Sequence, residues 1–221
     1  MLAIAEVALL VLLATHGHAS MCPNNNGMSD EVRQVFLDKH NAYRSQVAKG
    51  EAKNKLGGYA PKAARMLKMS YDCAIEENVA AFVKECKFAE DSYKDRHWWG
   101  QNIWMSSARN VNKSDAAAGS VYSWFSELEK YGVPDNNILT WAVFERGVGH
   151  YSQVVWQKSS KIGCAVEWCK DMTFVGCEYD PAGNYLGEII YDIGDPCQKN
   201  EDCQCDNCVC DREQALCIPP Q

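Results

Sequence analysis

"GCAVEWCKDMTFVGCEY", residues 163–179, is the stretch whose reading decides the fold. Two short runs rich in β-branched and aromatic residues flank the loop Cys169–Met172, so they read as the arms of a β-hairpin. If Trp168 pairs with Thr173, counting back places Cys164 opposite Cys177. Directly opposed strand residues bring their Cα atoms within disulfide reach, so the spacing predicts a Cys164–Cys177 bridge. "QVVW" (153–156) just before the hairpin and "GEIIYDI" (187–193) just after it have similar composition and read as further strands.

Upstream the period changes. Ser29 or Asp30 caps a helix predicted to run to about Lys49, with Gly50 as its stop. Val32, Phe36, His40, Tyr43 and Val47 recur at spacings of three and four and form its inward face. His40 lies on that face and reads as a hydrogen-bonded core residue rather than a ligand. A second helical pattern covers about Tyr71 to Cys86, through Ile75, Val79 and Phe82. A third runs from about Asp115 to Gly132, with Val121, Trp124, Phe125, Leu128 and Tyr131 on one side and Glu127 bordering them. Helices with the strands late in the chain indicate an α+β layered architecture.

The chain opens with an apolar run at residues 7–14, "VALLVLLA". That is shorter than the roughly 20 residues a membrane span needs. Followed by Gly17-His18-Ala19, it reads as a secretory signal peptide, residues 1–19, although Glu6 lies within it and no Lys or Arg precedes it. The net charge is −7, and removing Glu6 leaves −6. A mildly acidic chain is a poor partner for nucleic acid or an anionic membrane surface. No later stretch is apolar enough for membrane insertion. The twelve cysteines all follow residue 19. An even number behind a signal peptide predicts six disulfides in an oxidising, extracellular compartment. Asn112-Lys113-Ser114 is an N-glycosylation sequon, which acquires meaning on a secretory route. Six cysteines fall within residues 195–221. Cys203-x-Cys205-x-x-Cys208-x-Cys210 could offer thiolates to a metal, but in a secreted chain a disulfide-stapled tail is the expectation. The expected organisation is therefore a signal peptide at 1–19, a main domain at 20–194 and a cysteine-rich tail at 195–221.

"GHYSQVVWQKS" (149–159) and "FVGCEYDPAGN" (174–184) resemble the two signatures of the CAP superfamily, the cysteine-rich secretory, antigen 5 and pathogenesis-related proteins. "KHNAYR" (39–44) and "WFSELEKY" (124–131) match two further blocks. The acidic chain and cysteine-rich tail are similar to single-domain secreted members from parasitic nematodes. The resemblance implies a three-layer α-β-α sandwich for residues 20–194. It also implies a central cleft in which two histidines and two glutamates often hold zinc. Carried over by motif, Glu127 and His150 match. Gln101 stands where the family commonly has glutamate, and Ala89 or Glu90 where it has histidine; His97 is nearby but off the motif. Two matched ligands fall short of the three protein ligands a catalytic zinc keeps. The cleft of Glu127, His150 and Gln101 therefore reads as vestigial, with no catalytic residue and no metal or cofactor beyond weak zinc at Glu127 and His150. His150 is expected to tie a buried carboxylate to the fold. No serine sits in a Gly-x-Ser-x-Gly elbow, so the chain is not expected to be an enzyme.

By resemblance the expected function is a secreted parasite protein that binds a host cell-surface receptor, first of all a platelet integrin, and blocks adhesion. A leukocyte integrin, a lipid or sterol, and zinc-dependent proteolysis are the alternatives. Arg-Gly-Asp and Lys-Gly-Asp are absent. The near variants Lys49-Gly50-Glu51 and Ile193-Gly194-Asp195 single out Glu51 and Asp195 as receptor-binding candidates, though the same residues suit a helix stop and a turn.

Overall fold

The computed structural model describes residues 20–220, so the expected signal peptide lies outside the described residues. The Ser29 side chain accepts the Val32 N–H and opens helix α1 (Asp30–Ala48). Gly50, at φ +73°, turns the chain out of it. Asp72 caps α2 (Cys73–Val83) by accepting from Ala74 and Ile75 N–H, and Asn112 caps α3 (Lys113–Phe125). The third helix is not continuous to Gly132 as expected. The Ser126 hydroxyl donates to the Ser123 carbonyl, competing with the helical bonds there, and a separate turn α4 (Glu127–Tyr131) follows.

The sheet has the order β1 (Ser70–Tyr71), β3 (Lys161–Trp168), β4 (Thr173–Asp180), β2 (Gly100–Ser106). β1 runs parallel to β3 and the other pairs are antiparallel. The hairpin register is the one read from the sequence: Trp168 faces Thr173 and Cys164 faces Cys177. Those cysteines are bridged, with Cα atoms 4.1 Å apart. Side chains alternate along β4. Val175, Cys177 and Tyr179 join the core under α1 and α3, whereas Phe174 and Gly176 pack on α2. The result is the expected three-layer α-β-α sandwich. α2 lies so close to the sheet that a Cβ at Gly163 would sit 2.2 Å from the Glu76 backbone nitrogen. Arg33 of α1 meets Glu76 of α2 in a buried two-pronged ion pair at 2.7 and 2.8 Å, to which Tyr71 Oη adds a third bond at 2.6 Å.

Two expected strands are absent. Within "QVVW", Gln153 and Val154 end a short helix α6 (Gly149–Val154), which follows α5 (Trp141–Phe144). The carbonyls that a strand would have paired go instead to the buried Arg44 guanidinium. It donates to Val154, Trp156, Gln157 and Ser159 oxygens at 2.8–3.1 Å and, through Nε, to Leu67. "GEIIYDI" builds no ladder because its backbone bonds go to separate segments: Leu139 N–H to Glu188 O, Ile190 N–H to Asn137 O, Gln157 N–H to Ile190 O and Ala64 N–H to Asp192 O.

The six tail cysteines pair among themselves as Cys197–Cys210, Cys203–Cys217 and Cys205–Cys208, and Cys22–Cys73 and Cys86–Cys169 complete the set. The tail carries a ribbon of β5 (Val209–Asp211) and β6 (Leu216–Ile218). It is seated on the body by Cys217 N–H to Met66 O and Lys68 N–H to Cys217 O, and it inserts the fully buried Leu216 into the main core. Among the described residues no helix is long and apolar enough to cross a membrane.

Candidate functional site

Val148, the N-cap residue before helix α6, offers no capping side chain. The helix's first N–H groups are satisfied from another element. Glu127 Oε2 accepts from His150 N–H at 3.0 Å and Tyr151 N–H at 2.9 Å, while Oε1 bonds His150 Nδ1 at 2.6 Å. The His150 ring stacks on Trp124, centroids 6.3 Å apart and planes at 15°. The carboxylate and imidazole brought together by the break at Ser126 thus hold α4 to α6.

Behind them lies His40, fully buried on α1 as its place on the inward face implies. Its Nδ1 contacts the Phe36 carbonyl at 2.8 Å, which requires a proton on Nδ1 and leaves Nε2 to accept from Tyr179 Oη at 2.9 Å. Burial lowers the His40 pKa to about 3, so the ring is neutral. Asn102 Nδ2 donates to both Tyr179 Oη and the His150 carbonyl, linking α1, the sheet and the signature loop.

A cavity of about 320 Å³ opens in front of the pair, walled by Glu90, Gln101, Glu127, Tyr131, Phe144 and His150 among others. Glu90 rather than Ala89 supplies the wall, from an exposed position. His97 is exposed and lies against Trp99 outside this wall. Gln101 uses both ends of its amide: Oε1 accepts from Asp91 N–H at 2.8 Å, and Nε2 donates to Glu178 Oε1 at 3.1 Å. Glu178 is fully buried, and its Oε2 has no partner among the described residues. Burial, with Asp91 adding to it, pushes its pKa up to about 8, against the opposing pull of the Gln101 amide and Arg96. A glutamate at position 101 would lack the amide N–H that now donates to Glu178 Oε1.

His150 Nδ1 is held by Glu127, which leaves Nε2 as the ring atom that could face a metal, whereas both Glu127 oxygens already accept hydrogen bonds and both ends of the neutral Gln101 are taken. Among the described residues, the group of His, Cys, Asp or Glu whose ligand atoms converge is Cys197, Cys203 and Cys217, and each of these is in a disulfide. The pair thus stands as a capped helix end at the wall of the cavity.

The two receptor-binding candidates, Glu51 and Asp195, are exposed. Lys62 Nζ is 3.1 Å from Asp195, whose side chain is 88% exposed, and a Cβ at Gly50, next to Glu51, would sit 2.8 Å from Lys62 Cγ. The sequon residue Asn112 is exposed and uses Oδ1 to cap α3. Arg44 and Glu178 escaped the sequence reading. Arg44 had a signal, a cation four residues after His40 on a buried stripe. Glu178 had one too, its even register with Phe174 and Gly176.

The chain matches the cysteine-rich secretory protein family over residues 37–179. It is 42% identical over 203 residues to the Ancylostoma secreted protein of Ancylostoma caninum, covering 90% of this chain but 47% of that protein, about half of its length. It is 28% identical over 218 residues to hookworm platelet inhibitor 1 of the same species, covering 96% of this chain and 95% of that one. Among solved structures, NaASP2 with Zn2+ is 47% identical with a TM-score of 0.83, over 89% of this chain and 99% of that chain. Hookworm platelet inhibitor is 26% identical with a TM-score of 0.71, over 91% and 98% respectively.

Proposed function

This chain belongs to the cysteine-rich secretory protein family, and on that premise we propose that it is a secreted parasite protein that binds a host cell-surface receptor, first of all a platelet integrin, without enzymatic turnover. The observation that carries the non-catalytic part is the state of the cleft pair. Glu127 spends its carboxylate on two backbone N–H groups and His150 Nδ1, and all twelve cysteines are bridged. No nucleophile with an adjacent base is assembled there. The relation to hookworm platelet inhibitor 1, at 28% identity, supports a receptor as the target. Rigid loops between disulfides lose little ordering entropy on binding. A leukocyte integrin is the alternative receptor.

The test adds purified protein to stimulated platelets and, separately, to adhering neutrophils. Inhibition proportional to receptor occupied and reversed on dilution is expected with platelets; inhibition of neutrophils alone would move the target to the leukocyte receptor. Inhibition that deepens with time at substoichiometric protein, with receptor fragments, would mean catalysis. No effect on either cell would overturn the receptor reading.

A second reading, a lipid carrier, draws on a different place. A cavity of about 870 Å³ lies between α1, β1 and the end of the tail, with Met21, Leu37, Met69, Tyr71, Ile218 and Pro219 in its walls. This is within the size range of small-molecule sites. Mass spectrometry of an organic extract of the purified protein, showing one lipid per chain, would favour it.

A further inference from the structure

The three tail disulfides are not equivalent. Cys197–Cys210 and Cys203–Cys217 span 13 and 14 residues, whereas Cys205–Cys208 spans 3. Cys197, Cys203 and Cys217 are buried, and Cys208 is 5% exposed, but Cys205 is open to solvent. The turn that carries it, Cys205-Asp206-Asn207-Cys208, has left-handed residues on either side of Cys205, Gln204 at φ +52° and Asn207 at φ +57°.

We propose that Cys205–Cys208 is a thiol–disulfide exchange site, with Cys205 as the attacked sulfur and Cys208 as the leaving sulfur, and that its co-reactant is a neutral or cationic thiol. Three features converge on this pair. A thiolate must reach a sulfur, and Cys205 is the accessible end. A closed loop this short withdraws little entropy from the unfolded chain, so the bridge adds little stability. Opening it also leaves the tail in place. The tail is anchored through Cys217 to Met66 and Lys68, through the Lys68–Asp211 ion pair at 3.0 Å and through Leu216 in the core, none of which involves residues 205–208.

In the first step an external thiolate forms a bond to Cys205 Sγ as the Cys205–Cys208 bond breaks, and the electron pair leaves on Cys208 Sγ, which takes up a proton. A second external thiolate then attacks the sulfur of the first. It releases Cys205 as a thiolate and completes a two-electron reduction in which two thiols become one disulfide. In the reverse direction Cys208 attacks the mixed disulfide and the turn closes. The preference for thiol charge follows from the surroundings. Residues 195–221 carry six acidic and two basic side chains; Asp206 lies within the turn, and Glu201 and Asp202 shortly precede it. That field repels an anionic thiol and attracts a cationic one.

The experiment titrates the intact native protein with dithiothreitol, traps free thiols with iodoacetamide and maps the label. The first modified species is expected to carry two labels, on Cys205 and Cys208, with an unchanged circular dichroism spectrum. The Cys205→Ser/Cys208→Ser double variant should lack that species and keep the same spectrum. First labelling at any other pair, or simultaneous opening of several disulfides with loss of the spectrum, would overturn the assignment. At equal thiolate concentration cysteamine should open the pair about threefold or more faster than glutathione, and the gap should narrow in about 1 M salt. An equal or reversed order would overturn the charge preference.

Discussion

At the scale of single residues, Glu127 and His150 are a structural joint. Replacing Glu127 by alanine leaves two helix N–H groups and the His150 ring without an acceptor. Bonds to a charged group are worth about 1.5–3 kcal/mol each and are not additive, so a loss of about 2–4 kcal/mol is expected in urea unfolding. Glu127→Gln keeps one oxygen acceptor and should lose about half as much. A change within about 0.5 kcal/mol for the alanine variant would mean that the carboxylate is held for another purpose. Two buried groups make stability depend on pH in opposite senses. His40 has a folded pKa of about 3 against 6.5 in the unfolded chain, so its contribution is present above 6.5 and is lost as pH falls toward 3. Glu178 is raised to about 8 from 4.5, so its contribution is complete below 4.5 and is lost as pH rises toward 8. Unfolding midpoints measured across pH should therefore fall on both sides of a mildly acidic maximum. Glu178→Gln, which keeps an oxygen to accept from the Gln101 amide and cannot ionise, should flatten the alkaline limb and leave the acid limb alone. An alkaline limb as steep as in the parent would assign the loss to other groups.

At the scale of elements, the sandwich depends on how closely α2 approaches β3. Gly163→Ala must push its methyl into the α2 backbone, where no flexible side chain can yield. Overpacking of this kind costs about 3 kcal/mol, and a lower yield of folded protein with a reduced denaturation midpoint is expected. Disulfides should rank by the loop they close. Cys86–Cys169 closes a separation of 83 and Cys164–Cys177 one of 13. Chain entropy alone assigns them about 4.5 and about 3 kcal/mol, so the double alanine variant of the long pair should unfold at lower denaturant. The reverse order would show that packing inside the hairpin outweighs loop closure.

At the scale of the whole molecule, the exposed acids Glu51 and Asp195 test where a receptor would dock. Asp195→Ala and Glu51→Ala should each leave stability within about 0.5 kcal/mol, because both side chains are solvated. Any effect on platelet adhesion is then a binding effect. Full activity in the double variant would place the contact surface elsewhere on the domain. A glycan at Asn112 is compatible with the fold, since the exposed residue caps α3 through Oδ1 and a sugar attaches to Nδ2. Protein from a eukaryotic secretory host should lose mass on treatment with an N-glycosidase, and Asn112→Gln should not.

The sequence by itself determined the hairpin and its bridge, because a period of two and a four-residue loop fix which residues face one another. It also determined the helical faces and the inward place of His40, since these are local periodicities, and four ordered motifs carried the family. Tertiary structure decided the rest. Whether "QVVW" becomes a strand depends on where its carbonyls find donors, and Arg44, more than a hundred residues away, supplies them. The capping of α6 by Glu127 is likewise a contact between segments, invisible to a local pattern. The role of Gln101 could not be read from its motif either, because its partner is the buried Glu178, reached only when β2 and β4 pair.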